Sequence, residues 1–264
     1  MTLALLGYLA HSVADFVLQS DEIARGKDGR SQYAYIRHGI HVLVCTFVAT
    51  HAYALPGLIY SLIVAALHVT VDFLVRVGLT ARHVGVGGVV VSLACDQALH
   101  IATITIPANL LDPPVNPGIV SAYQKIWSMA VPRGVQVFLS HKADTVLLMA
   151  TAYVLAVFGG AILVRKVLDA SGVLNKPLTD SAGDVTVRSG AYIGVLERAI
   201  LLTLVLANSI SSIGFVIAAK SLSRLREMEK QNFAEYYLIG TLTSALIALG
   251  TGIAVKALIG SLAR

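Results

Sequence analysis

The stretch Leu58-Ile-Tyr-Ser-Leu-Ile-Val-Ala-Ala-Leu-His68-Val-Thr-Val-Asp72-Phe-Leu-Val-Arg76-Val-Gly-Leu79 decides the fold. It is an apolar run of the length a helix needs to cross a bilayer, about 20 residues. A water-soluble helix would carry a charged face along that length. This one carries His68 and Asp72 in the middle of its apolar residues, four apart and so on one side of the helix. Ionisable groups inside a membrane helix are costly, and they usually mark function.

Working outward, similar runs occupy residues 1–19, 37–55, 86–106, 145–164, 191–217 and 237–259. The expectation is therefore an all-α, polytopic transmembrane helical bundle of about seven spans. Composition agrees. The 264 residues are 56% hydrophobic and 13% charged, with a mean hydropathy of +0.76, against about 45–50% and 25% in soluble domains. Residues 1–18 lack the basic start of a signal peptide and end near Asp15, so they read as an uncleaved first helix. The net charge of +5 reads as Lys and Arg beside the membrane, where they set orientation and meet anionic lipid. No basic soluble module is visible, which excludes nucleic acid as a partner. Cys45 and Cys95 lie in apolar runs, without zinc-finger spacing or a disulfide framework.

Between the spans, Arg25, Lys27, Asp28 and Arg30 read as a charged loop, and Pro56-Gly57 as a turn. Pro107, Pro113, Pro114 and Pro117 break the helical pattern. Tyr123, Lys125 and Trp127 suit headgroup depth. The chain thus divides into a four-helix His/Asp membrane core (1–106), a Pro-rich interfacial loop (107–142), a fifth span with a polar linker (143–190) and a C-terminal two-helix membrane segment (191–264).

Two more pairs repeat the spacing of His68 and Asp72: His11 with Asp15, and Asp96 with His100. The order inverts in the last pair, which lies on a span running the opposite way, so alternating helices set the three aspartates at one depth and the three histidines at another. His38 and His41 open the second span from the same side. Four helices thereby offer ligands to one pocket. Histidine with carboxylate suits Zn, Mn or Fe, and the set His11, Asp15, His38, His41, His68, Asp72, Asp96 and His100 has donors enough for two ions. Asp15, Asp72 and Asp96 double as candidate catalytic bases. Gln19 and Gln97 are placed to hold the free imidazole nitrogens. His51, His83 and His141 read as loop or interfacial residues.

These motifs, His11-Ser-Val-Ala-Asp15-Phe-Val-Leu-Gln19, His38, His68-Val-Thr-Val-Asp72 and Asp96-Gln-Ala-Leu-His100, resemble domain-of-unknown-function family 3307, uncharacterised bacterial integral membrane proteins. The stretches Tyr192 to Arg198, Ile213 to Ser221 and Ala234 to Thr241 extend the resemblance. It implies a place in the bacterial cytoplasmic (inner) membrane and no activity. A lysine expected near Val75 is absent, and Arg76 is the residue to take its role.

Farther along, Glu197 and Arg198 read as an interfacial pair at a helix start. Lys220, Ser221 and Arg224 share a face suited to a lipid phosphate, and Gly240 and Ser244 form a small-residue packing pair, with Gly250 and Gly252 beyond them. Three functions fit the whole. The first is a metal-dependent hydrolase acting on a lipid-linked or phosphorylated substrate. The second is a divalent-cation or proton-coupled transporter, and the third a non-enzymatic scaffold or lipid-binding protein. All three have membrane lipids as partners.

Overall fold

The computed structural model describes residues 2–79, 85–173 and 183–262, and among these every regular element is helical. Helices α1 (Thr2–Phe16), α2 (Asp21–Asp28), α3 (Gln32–Thr50), α4 (Leu55–Leu79) and α5 (Val86–Leu111) are followed by α6 (Pro117–Ala130) and α7 (Arg133–Val154). A π-helical turn, Leu155–Gly159, joins α7 to α8 (Gly160–Ala170). Helices α9 (Gly183–Leu206), α10 (Ser211–Ser223) and α11 (Gln231–Leu262) complete the chain. The chain forms two compact units, one of Met1–Arg82 and Leu93–Thr151, the other of His83–Ser92 and Ala152–Arg264.

Four helical stretches are long and apolar enough to cross a membrane: Leu55–Arg76, Val86–Leu111, Lys142–Ala170 and Gln231–Ser261. A fifth arises if α1 and α2, bent by 86° at their junction, count as one broken span. The expected seven are thus four to five, and the losses have causes. Helix α3 is long enough, but Arg37, His38 and His41 dilute its hydropathy. The sixth run, 191–217, is two helices. Helix α9 stops at Leu206, Asn208 adopts a left-handed φ of 59°, and α10 has only 13 residues. At 1.5 Å per residue α10 spans about 20 Å, short of the roughly 30 Å hydrocarbon core.

Other boundaries shift too. The fourth run continues through Pro107 to Leu111, as membrane helices permit when neighbours satisfy the freed backbone group. Within 107–142 lies α6, capped by Asn116, whose Oδ1 accepts from the Gly118 and Ile119 amides at 2.9 and 3.2 Å. Its side chains are largely exposed, Tyr123 and Trp127 among them. His51 ties it back through Tyr123 at 2.6 Å. His83 and the side chain of His141 lie outside the described residues, as does 174–182 of the expected linker.

The core of the first unit packs Leu3, Ala14, Val42, Tyr60, Val64 and Ile104 from α1, α3, α4 and α5. Gly7 admits the Tyr60 ring, because a Cβ there would lie 2.7 Å from the Ile104 side chain. Outward, Leu62, Leu74, Leu99 and Ile106 are exposed, an apolar surface that lipid solvates. In the second unit, Leu201, Val205, Ile213, Ala245 and Ala248 pack together. Gly252 lets α11 approach Val205 of α9, where a Cβ would lie 2.6 Å from the valine side chain. Gly250 meets nothing comparable.

Candidate metal centre

Four helices of the first unit carry the His/Asp motifs, and the i,i+4 spacing turns each pair inward. Helix α1 supplies His11 and Asp15, α3 supplies His38, α4 supplies His68 and Asp72, and α5 supplies Asp96 and His100. His38, His68 and His100 are each 0% exposed, and Asp15 and Asp72 only 9% and 6%.

The tightest part is a set of four atoms. His38 Nε2 and His68 Nε2 face each other at 2.8 Å. Asp15 Oδ1 lies 3.3 Å from each, and Asp72 Oδ2 lies 3.6 and 3.7 Å from them. A tetrahedron with bonds of about 2.0–2.1 Å, the usual zinc–nitrogen or zinc–oxygen length, has edges of about 3.3–3.4 Å. These five separations straddle that value, and the donors of this cluster could hold a small divalent ion.

Around this set, His11 Nδ1 lies 3.7 Å from Asp15 Oδ1, and the ring of His11 stacks on that of His100 at 5.1 Å. The His100 ring also meets that of His68 at 4.2 Å. His100 Nδ1 bonds the Asp96 carbonyl oxygen at 2.8 Å, which orients the ring from within its own helix. Three groupings have donor atoms close enough to share an ion: His11, Asp15 and His68; His38, His68 and Asp72; and Asp72, Asp96 and His100. His41 joins none of these groupings, although its Nδ1 is buried and unpartnered.

Burial without partners is the second unusual feature. His11 Nδ1, Asp15 Oδ1, His38 Nδ1, His68 Nδ1 and His100 Nε2 are buried side-chain atoms that make no hydrogen bond. Buried polar atoms are nearly always paired, and an exception calls for an explanation such as a bound ion. Of the five, Asp15 Oδ1 belongs to the four-atom set, whereas the His38 and His68 orphans are the Nδ1 atoms of rings whose Nε2 atoms face that set.

Sequence reasoning missed one member of the site. Residues 21–28, read as a charged loop, form α2, and α2 carries Lys27 into the cluster. Lys27 is 1% exposed, and its ammonium donates to Asp72 Oδ2 at 2.6 Å and to Gln19 Oε1 at 2.7 Å. The signals for it were Ser20, whose hydroxyl caps the helix by accepting from the Ile23 amide, and the i,i+4 pair Ile23 and Lys27, both buried. Arg76, expected in a lysine's role, instead pairs with Asp28 and so ties α4 to α2. Gln97 bridges Asp96 Oδ2 at 3.1 Å and His11 Nε2 at 3.5 Å, whereas Gln19 serves Lys27 and no histidine.

The fold and this centre define the class: a polytopic helical membrane protein with a buried His/Asp cluster. Residues 2–125, which hold every residue of the cluster, match the family described as Protein of unknown function (DUF3307). No curated protein and no solved structure matches the chain.

Proposed function

We propose that the cluster holds one divalent transition metal ion, Zn, Mn or Fe, and that the protein is a metal-dependent hydrolase acting on a membrane-associated, lipid-linked or phosphorylated substrate. The observation that carries the reading is the convergence of His38 Nε2, His68 Nε2, Asp15 Oδ1 and Asp72 Oδ2 within 2.8 to 3.7 Å, in a buried setting. Charge balance supports one ion over two. Ionised Asp15, Asp72 and Asp96 against the Lys27 ammonium leave two negative charges, which one divalent ion neutralises. A second ion would leave a net positive charge in a low-dielectric interior.

His38, His68, Asp15 and Asp72 would be the ligands, with His11 and His100 closing the sides. Bound there, such an ion polarises a substrate oxygen and brings the pKa of a bound water down to about 7. Asp96 is the most exposed carboxylate of the cluster, at 22% of its side chain, and it is the base that reaches incoming water. Lys27 holds Asp72 in place. The family resemblance supports a bacterial inner membrane as the location.

A second reading has its own support. The His38–His68 hydrogen bond and the Lys27–Asp72 pair lie 3.6 to 3.7 Å apart, and such a chain of ionisable groups is the material of a proton relay in a cation- or proton-coupled transporter.

Elemental analysis of the detergent-purified chain, beside Asp15→Asn and a His38→Ala/His68→Ala variant, tests the metal. The expected result is about one ion per chain, lost in both variants, since ligand loss removes metal affinity directly. No ion after add-back sinks the proposal. With a metal present, proton or metal flux into liposomes and no hydrolysis of phosphorylated lipids would favour transport.

A further inference from the structure

The second unit contains a cavity of about 350 Å³ between α8, α9, α10 and α11. From its walls, the geometry points to a binding site for the phosphate-bearing head of a membrane lipid, one whose head group also carries a hydrogen-bond donor, a hydroxyl or a primary ammonium.

The floor is built around buried charge. Arg198 is 2% exposed. Its Nε and one terminal nitrogen donate to the Val157 carbonyl oxygen at 3.2 and 2.9 Å, and the other donates to Ser244 Oγ at 3.4 Å. Val157 lies in the π-helical turn, where the helical ladder is interrupted and carbonyls become available to side chains. Gly160 and Gly194 flank the guanidinium, and a Cβ on either would come within 2.9 to 3.2 Å of it. Glu197 is 4% exposed, and its Oε2 accepts from Lys220 at 2.5 Å.

Glu197 Oε1 is the exception, a buried carboxylate oxygen with no partner on the wall of the cavity. It is an acceptor that lacks a donor. Lys220 Nζ also donates to Thr241 Oγ1 at 2.9 Å and sits over the Tyr237 ring at 5.3 Å. An ammonium has three N–H groups, so one remains for a ligand oxygen. Arg224, on the same wall, is a second cation; one terminal nitrogen donates to Glu227 Oε1 at 3.3 Å, and its other N–H groups are the ones a ligand oxygen could take. The site therefore asks for anionic oxygens and, next to them, an N–H or O–H. A phosphodiester bearing glycerol or ethanolamine has both.

Position within the unit argues for a lipid source. The cavity runs along α8, the middle of α9, the end of α10 and the first half of α11, with the all-apolar packing of Leu201, Val205, Ala245 and Ala248 farther along α9 and α11. Tyr236, Tyr237 and the basic residues there are the residue types of the headgroup level. Leu168 and Ile193 give the cavity apolar walls for the start of an acyl chain.

Native mass spectrometry of the detergent-solubilised full chain tests this. Dioleoyl phosphatidylglycerol, phosphatidylethanolamine, phosphatidylcholine and inorganic phosphate are titrated separately. The first two are expected to bind at least tenfold more tightly than phosphatidylcholine, whose quaternary ammonium has no N–H. Lys220→Gln/Arg224→Gln should weaken them about tenfold, while Lys125→Gln on the exposed α6 should change nothing. Glu197→Gln keeps the shape and should bring the preference over phosphatidylcholine toward unity, a readout that does not depend on the double variant folding. Equal binding of all three lipids, or unchanged preference in Glu197→Gln, overturns the proposal. Binding of inorganic phosphate without either lipid overturns the lipid assignment and makes the ligand a free anion.

Discussion

The two units bury charge in opposite ways. In the second, Arg198 finds a carbonyl opened by the π turn and Lys220 finds Glu197 and Thr241, so that one carboxylate oxygen is the remaining orphan there. In the first, five imidazole and carboxylate atoms around His38 and His68 are buried and make no hydrogen bond. Arginine and lysine only donate, and a protein has carbonyls to offer them. A neutral imidazole brings one donor and one acceptor and a carboxylate only acceptors, and in this cluster the geometry leaves atoms on both residue types unmatched. The lesson is that burial alone does not mark a site. What matters is whether the polypeptide can complete the hydrogen bonding, and in the first unit it does not.

The largest effect should come from breaking the buried Lys27–Asp72 ion pair of the first unit. Asp72→Ala leaves the Lys27 ammonium buried against Gln19 alone, and the metal-free protein should lose about 3–5 kcal/mol. Thermal unfolding in detergent measures it, and Lys27→Met in the same background should recover most of the loss. Recovery would show that the cost is an uncompensated charge and not lost packing.

Metal add-back sharpens the contrast next. With the ion at a hundredfold its Kd, chelator-treated wild type should gain about 2.7 kcal/mol, read as a rise in Tm, whereas His38→Ala/His68→Ala should gain nothing. A similar gain in both would move the ion elsewhere. The smallest effect belongs to the second unit. Thr241→Val removes one hydrogen bond to Lys220 and should cost about 1 kcal/mol without altering metal content. A change in metal content would mean that the two regions are coupled.

Much of this was legible in the residues. The apolar runs announced a membrane bundle, and the i,i+4 pairs announced a His/Asp centre, because both signals are strictly local. What escaped depended on longer reach. Lys27 lies in a segment too charged to look buried, and only Asp72, 45 residues later, makes its burial tolerable. Glu197 and Arg198, expected at an interface, are buried because the π turn in another helix offers Val157, and no residue pattern marks that turn. The break at Asn208 sits inside an apolar run whose hydropathy hides it. There the Asn208 side chain accepts from Lys256 of α11, and the Ser209 and Ser212 hydroxyls meet at 2.9 Å.

The sharp bend between α1 and α2 bears on how the protein is made. A lysine at the centre of a membrane helix costs about 2.5–3.5 kcal/mol on insertion, so α2 gains nothing by leaving the interface while the nascent chain ends before α4. Once Asp72 has been synthesised and threaded beside α3, Lys27 acquires its counter-charge and α2 can fold inward. The corner at residues 17–20 therefore joins a lysine to a counter-charge that is synthesised 45 residues later.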